Sequence, residues 1–177
     1  MKIVVLKEQD IKEVFSMEDA IKADKDALEF YSKGESNIPL RTNIDGTYLT
    51  RIRTGAVSGA ATDILARKDS KIFALFGRDG QAETQLEPVL TVKDIEEVRV
   101  FDISEERAKD FTQRTSDKFA DKFNVKIVAA KNSNEAVDNA DVITCVTTSK
   151  NLYLMENLLK KTHILTVLAP ILLTCKK

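Results

Sequence analysis

The spacing of apolar positions changes several times along the chain. Residues 3–6 form a short apolar run. Met17, Ala20, Ile21, Ala27, Leu28 and Tyr31 then fall at helical spacing, which predicts a helix over Met17–Ser32 stopped by Gly34. Asp24 interrupts that stripe. Residues 38–44 read as extended, helped by Pro39, and residues 46–66 predict a helix rich in small residues despite Gly55 and Gly59. Beyond residue 70 the pattern becomes regular. Strands are predicted at 72–76, 98–101, 125–129 and 142–146, and helices at 80–92, 104–123 and 134–139. The Ser-Glu-Glu that opens the second of these helices suits the positive end of its dipole. Strands that are apolar throughout and alternate with helices imply a parallel sheet covered on both faces. The expected fold is therefore α/β, a doubly wound unit over residues 71–167.

Composition narrows the function classes. A chain of 177 residues suffices for one domain with or without an appendage. A formal charge of −1 and no sustained basic run argue against nucleic acid as a partner. Cys145, Cys175 and His163 give neither a disulfide framework nor metal-ligand spacing, so no metal is expected. The opening MKIVVLKEQD resembles neither a signal peptide nor a membrane span, making the cytoplasm the expected location and a membrane an unexpected partner. Cys145, inside an apolar strand with no base nearby in sequence, reads as core, and His163 as a strand-end residue.

The stretch KIFALFGRDGQAETQLEPVL joins a strand to a helix through a glycine turn. A dinucleotide fingerprint wants G-x-G-x-x-G/A there: one glycine for the turn, one for close approach of the diphosphate, and a small residue for helix packing. Gly77, Asp79 and Ala82 occupy the three places, so the second is an acid. Asp102, closing VRVFD, sits where the ribose-binding acid of such folds is expected. Pro88 falls inside the helix after the turn, where proline costs about 3 kcal/mol unless the helix kinks.

Longer stretches carry a family resemblance. RTGAVSGAATDILARKDS, GQAETQLE, IEEVRVFDISEERAKDF and, earlier, SMEDAIKADKDALEFYSKGESNIPLRTNI resemble the ornithine cyclodeaminase/mu-crystallin family over nearly the whole chain. The resemblance implies a Rossmann domain with NAD as cofactor, and a substrate-binding, dimer-forming domain built from both chain ends. It implies that Arg53 and Arg41 grip a substrate carboxylate, as arginine's paired donors suit. Thr54 would sit by the cofactor, Gly77, Gly80 and Gln81 would form the nucleotide turn, Asp102 would hold the ribose, and Thr147 and Thr148 would line the cofactor. Spacing alone favours a surface ion pair for Arg53 and equally allows Thr147 and Thr148 a strand-end cap. Asp102 favours NAD over NADP, since a carboxylate repels a 2′-phosphate.

The family's members include ornithine cyclodeaminases, alanine dehydrogenases and ketimine reductases. The resemblance thus implies NAD-dependent conversion of L-ornithine to L-proline and ammonia, with an amino-acid dehydrogenase or ketimine reductase as the alternative. Departures from the family pattern qualify the expectation. PLRTNI runs directly into DGTYLTRIRTGA, without the segment that carries the family's catalytic lysine. After KKTH, an apolar tail replaces the family's I-N-x-V-G-A-D, which holds its catalytic aspartate, as a frame change just after His163 would produce. We therefore expect residues 1–45 to be a truncated α+β substrate and dimerisation domain, residues 46–177 a linking helix and NAD-binding domain, and no catalytic residue to be assignable. Impaired or absent activity, weakened NAD binding at Asp79, a weakened homodimer and a non-catalytic remnant are the corresponding expectations. Residues 164–168, being apolar, can still pack as a last strand.

Overall fold

The computed structural model describes residues 7–36, 47–78 and 80–146, and the backbone of Ile164–Val167. The expected runs at 3–6 and 38–44, together with Arg41, Asp79, Thr147, Thr148, His163 and Cys175, lie outside the described residues.

The elements in chain order are α1 (Glu8–Val14), α2 (Met17–Ser32), α3 (Thr47–Leu65), β1 (Ile72–Phe76), α4 (Ala82–Val92), β2 (Glu97–Phe101), α5 (Glu105–Phe119), β3 (Lys126–Ala129), α6 (Ser133–Val137), β4 (Val142–Cys145) and β5 (Ile164–Val167). The strands form one parallel sheet in the order β3-β2-β1-β4-β5. The connection leaves β1 toward β2 and β3, then returns across β1 to β4. This reversal is the topological switch point of a doubly wound fold, and it opens a crevice at the carboxyl ends of β1 and β4.

Local chemistry explains the helix starts. Ser16 caps α2 by accepting from Asp19 N at 3.1 Å, while the Asp19 carboxylate accepts from Ser16 N at 3.2 Å. Asn132 caps α6 by accepting from Glu135 N at 2.9 Å, and Ser104 caps α5. Strand residues alternate between two cores. Phe73 and Leu75 of β1 face Leu86, Val89 and Phe111 of α4 and α5, whereas Ala74 and Phe76 face Ala136 and Val137 of α6. Each large apolar side chain buried in this way contributes about 1.5–3 kcal/mol.

A third cluster joins Met17, Ala20 and Ile21 of α2 to Ile52, Ala56 and Ala60 of α3. The first half of α2 is thus covered, while Leu28, Phe30 and Tyr31 in its second half are exposed. Helix α3 packs in turn along α4. A Cβ on Gly55 would lie 2.0 Å from the Thr84 carbonyl oxygen, and one on Gly59 would lie 2.7 Å from Pro88 Cβ. Pro88 lacks the N–H that would have bonded the Thr84 carbonyl four residues back, so α4 spans its proline with that oxygen facing Gly55. The two glycines that lower α3's propensity are its contact face.

Candidate functional site at the carboxyl end of the sheet

The turn after β1 begins with Gly77, buried and at φ +90°, a left-handed conformation that side chains disfavour. Its N–H donates to Phe101 O at 2.9 Å, which fixes the end of β1 beside the end of β2. The next residue on β2's side is Asp102. Its Oδ1 accepts from Ser104 N at 2.9 Å, and the half-buried carboxylate is thereby held at the rim of the crevice next to Gly77. On the opposite side of β1, Val146 N donates to Phe76 O at 2.8 Å, so the residues that follow β4 leave from the same rim.

Helix α4 points its N-terminus at this rim. Gln81 is its N-cap residue and makes no side-chain cap bond; the Thr84 hydroxyl donates instead to Gln81 O at 2.9 Å and lies 3.2 Å from Gln81 Oε1. The Gln81 side chain thus leaves the first-turn backbone donors of α4 uncapped, in a position suited to an anion. The structure brings Gly77, Gly80, Gln81 and Asp102 together at one end of the sheet.

The α3 residues divide. Thr54 is half-buried, and its hydroxyl donates to Thr50 O at 2.7 Å. Arg53 is exposed, and its charge acts on Asp24 of α2. Arg53 is two residues before Gly55, on the opposite flank of α3 from the face that meets α4. Asp24, which broke the apolar stripe, is held above its usual carboxylate range by burial, with Arg53 pulling the other way.

Cys145 is buried, and burial pushes its thiol up to about 12, which suits core packing and not nucleophilic attack. Among the described residues no group of three or more His, Cys, Asp or Glu side chains could hold a metal, and no helix is long and apolar enough to cross a membrane.

One residue at the rim was not singled out in the sequence. Arg51 of α3 reaches the turn: a Cβ on Gly80 would meet Arg51 Nη2 at 3.4 Å. It lies four residues before Gly55, so the helical period could have found it once Gly55 was known to face α4.

A positive-φ glycine after the first strand, an uncapped helix N-terminus and an acid closing the second strand define a Rossmann-type fold with a nucleotide-site architecture. The comparisons give its lineage. The profile of the ornithine cyclodeaminase/mu-crystallin family matches residues 27–171, and the chain belongs to that family.

The chain is 40% identical over 121 residues to a Delta(1)-pyrroline-2-carboxylate reductase of Bacillus cereus, covering 68% of this chain and 36% of that one. It is 36% identical over 124 residues to an alanine dehydrogenase of Archaeoglobus fulgidus, covering 70% and 36%. The chain thus spans about a third of the length of these curated relatives. Its fold resembles that of Thermococcus litoralis Delta(1)-pyrroline-2-carboxylate reductase, solved with NADH and L-proline, at a TM-score of 0.82 and 24% identity, covering 94% of this chain and 69% of that one.

Proposed function

We propose that this chain carries the dinucleotide-binding part of an NAD(H)-dependent oxidoreductase acting on a small α-amino or α-imino acid. The observation that carries the reading is the hydrogen bond from Gly77 N to Phe101 O, which sets a left-handed glycine turn beside the Asp102 carboxylate. A reductase and a dehydrogenase among the relatives favour oxidoreduction over the deaminating cyclisation expected from the sequence.

The residues present fit the cofactor. The open first turn of α4 with Gly77 and Gly80 would take its diphosphate, and the Asp102 oxygen not engaged by Ser104 would accept from the ribose hydroxyls. A bound nicotinamide would supply or accept the hydride. Asp102 disfavours a 2′-phosphate by like charge, so NADH is preferred to NADPH. Arg53 and Arg41 are proposed to hold the substrate carboxylate, and Thr54, Thr147 and Thr148 to line the cofactor. No described residue is assigned the proton-transfer role. A homodimer is part of the proposal, with exposed Val57, Ile64 and Leu65 of α3 offering apolar surface.

Titration with NADH, followed by its fluorescence, tests the reading. We expect saturable binding that Asp102→Ala weakens at least about tenfold, the scale of one charge-assisted hydrogen bond. Absence of binding at millimolar NADH, or equal affinity in Asp102→Ala, would overturn it. Assays of Delta(1)-pyrroline-2-carboxylate reduction, alanine oxidation and proline formation from ornithine, run in parallel, separate the substrate classes.

A further inference from the structure

Helices α3 and α4 run side by side in a fixed step. Gly55 meets Thr84, and four residues on Gly59 meets Pro88. Four residues back the same step pairs Arg51 with Gly80, and there the contact is not glycine on backbone but a guanidinium on the nucleotide turn. A Cβ on Gly80 would lie 3.4 Å from Arg51 Nη2 and 3.8 Å from Cζ. That guanidinium makes no hydrogen bond or ion pair with another described residue, and Arg51 is exposed. The acid of α4's first turn, Glu83, is engaged by Lys118. A planar cation with five donors therefore lies beside Gly80, one residue before the helix N-cap Gln81, whose side chain makes no cap bond.

We propose that Arg51 is an anion-gripping residue of the nucleotide site, donating to the diphosphate oxygens from the α3 side while the first turn of α4 donates from below. The inference rests on the dinucleotide reading given above. It assigns to α3 a second arginine with a role different from that of Arg53: Arg51 acts on the cofactor's phosphates, Arg53 on the substrate.

The test is a titration of the full chain and of Arg51→Ala and Arg51→Lys with NADH, inorganic pyrophosphate and adenosine, each repeated with Asp79→Gly added. Arg51 is exposed and has no ion-pair or hydrogen-bond partner among the described residues, so the variants should unfold at the temperature of the parent. We expect Arg51→Ala to weaken NADH and pyrophosphate at least about tenfold in both backgrounds, to leave adenosine unchanged, and to make NADH affinity fall less, or rise more, with salt than in the matching parent. Arg51→Lys should recover part of the loss. Unchanged NADH affinity in Arg51→Ala overturns the inference alone. So does an equal loss for adenosine, or a loss that disappears with Asp79→Gly, which would make Arg51 only a neutraliser of that acid. No NADH binding in either parent overturns the dinucleotide reading, and this inference with it.

Discussion

The backbone of Gly55 rests against the carbonyl oxygen of Thr84, the oxygen left without its helical donor by Pro88. A methyl group there would stand 2.0 Å from that oxygen and 3.3 Å from Pro88 Cγ. Alanine is the better helix former by about 1 kcal/mol, yet the obstacle is backbone and cannot rotate away. Overpacking of this kind costs about 1–3 kcal/mol and wins over propensity. Gly55→Ala should therefore lower the urea midpoint. Gly59→Ala should lower it less, because one of its neighbours, Ile21 Cδ1, is the end of a flexible side chain. Equal or raised midpoints in both variants would show that the helices can slide apart at no cost.

Where burial and capping agree, the sequence was readable to the residue. Helix α2 begins after Ser16 and strand β1 covers Ile72–Phe76 as the pattern predicts. Helix α1 was missed because it buries nothing: Val14 is 77% exposed, so no stripe marks it. The apolar period predicts a helix to residue 123, but α5 ends at Phe119. Phe123 follows in a turn, its N–H on Phe119 O at 2.9 Å, while its ring still packs on the core. The apolar period reported contact, and the contact outlasts the helix. That Gly77 and Asp102 end neighbouring strands was legible because a turn and a strand end are local, whereas Gly80 and Gln81 came from the family resemblance. Arg51 was not legible, because its place depends on which face of α3 meets α4.

Asp24 gives a pH test. Its carboxyl is raised above the ordinary 3.8, burial first and Arg53 opposing. A native carboxyl that holds its proton more tightly than the unfolded one favours folding below the ordinary value, and that contribution is lost as pH rises through the raised value. At neutral pH the charged form sits half-buried, and Oδ2 has no hydrogen-bond partner among the described residues. Asp24→Asn should raise the melting temperature at pH 7, and the gain should shrink on acidification toward pH 4. A gain independent of pH would remove charge as its cause.

Gln85 is fully buried in α4, and neither its Nε2 nor its Oε1 has a hydrogen-bond partner among the described residues. Such an amide carries a desolvation cost of about 1–3 kcal/mol. Gln85→Met keeps the length and removes the polar atoms, so it should raise stability by roughly 1–2 kcal/mol. A comparable loss in chemical denaturation would mean that the amide is satisfied in solution.

At the opposite end of the sheet from the turn, Asp141 Oδ2 accepts from Lys71 N at 2.7 Å and Ile72 N at 3.0 Å, while Oδ1 pairs with Arg67. This carboxylate joins the start of β4 to the start of β1, and its side chain is only 13% exposed. Asp141→Ala strands two backbone donors and should cost about 2–4 kcal/mol, at charge-assisted bond strengths of roughly 1.5–3 kcal/mol each less what water recovers. NADH affinity measured well below the unfolding transition should stay unchanged, since the clamp lies a strand's length from the turn. A fall in affinity without a fall in stability would contradict that separation.

The sharpest expectation concerns Asp79, which stands in the turn between Arg78 and Gly80 where the fingerprint wants a glycine. A diphosphate bound at the first turn of α4 would face that carboxylate. At about 4 Å and an effective dielectric near 20, two like charges repel by on the order of 4 kcal/mol, an upper figure for a site open to solvent. The proposed role of Arg51 would offset part of it without removing the acid. Asp79→Gly should therefore tighten NADH binding at least tenfold, and Asp79→Asn, which keeps the bulk and loses the charge, should recover most of that gain. The parent's affinity should also rise with salt more than the variant's does, because screening relieves a repulsion only where one exists. Calorimetric titration of the three chains decides it. Tight binding by the parent, with no change on removing the acid, would mean that the turn directs residue 79 away from the phosphates.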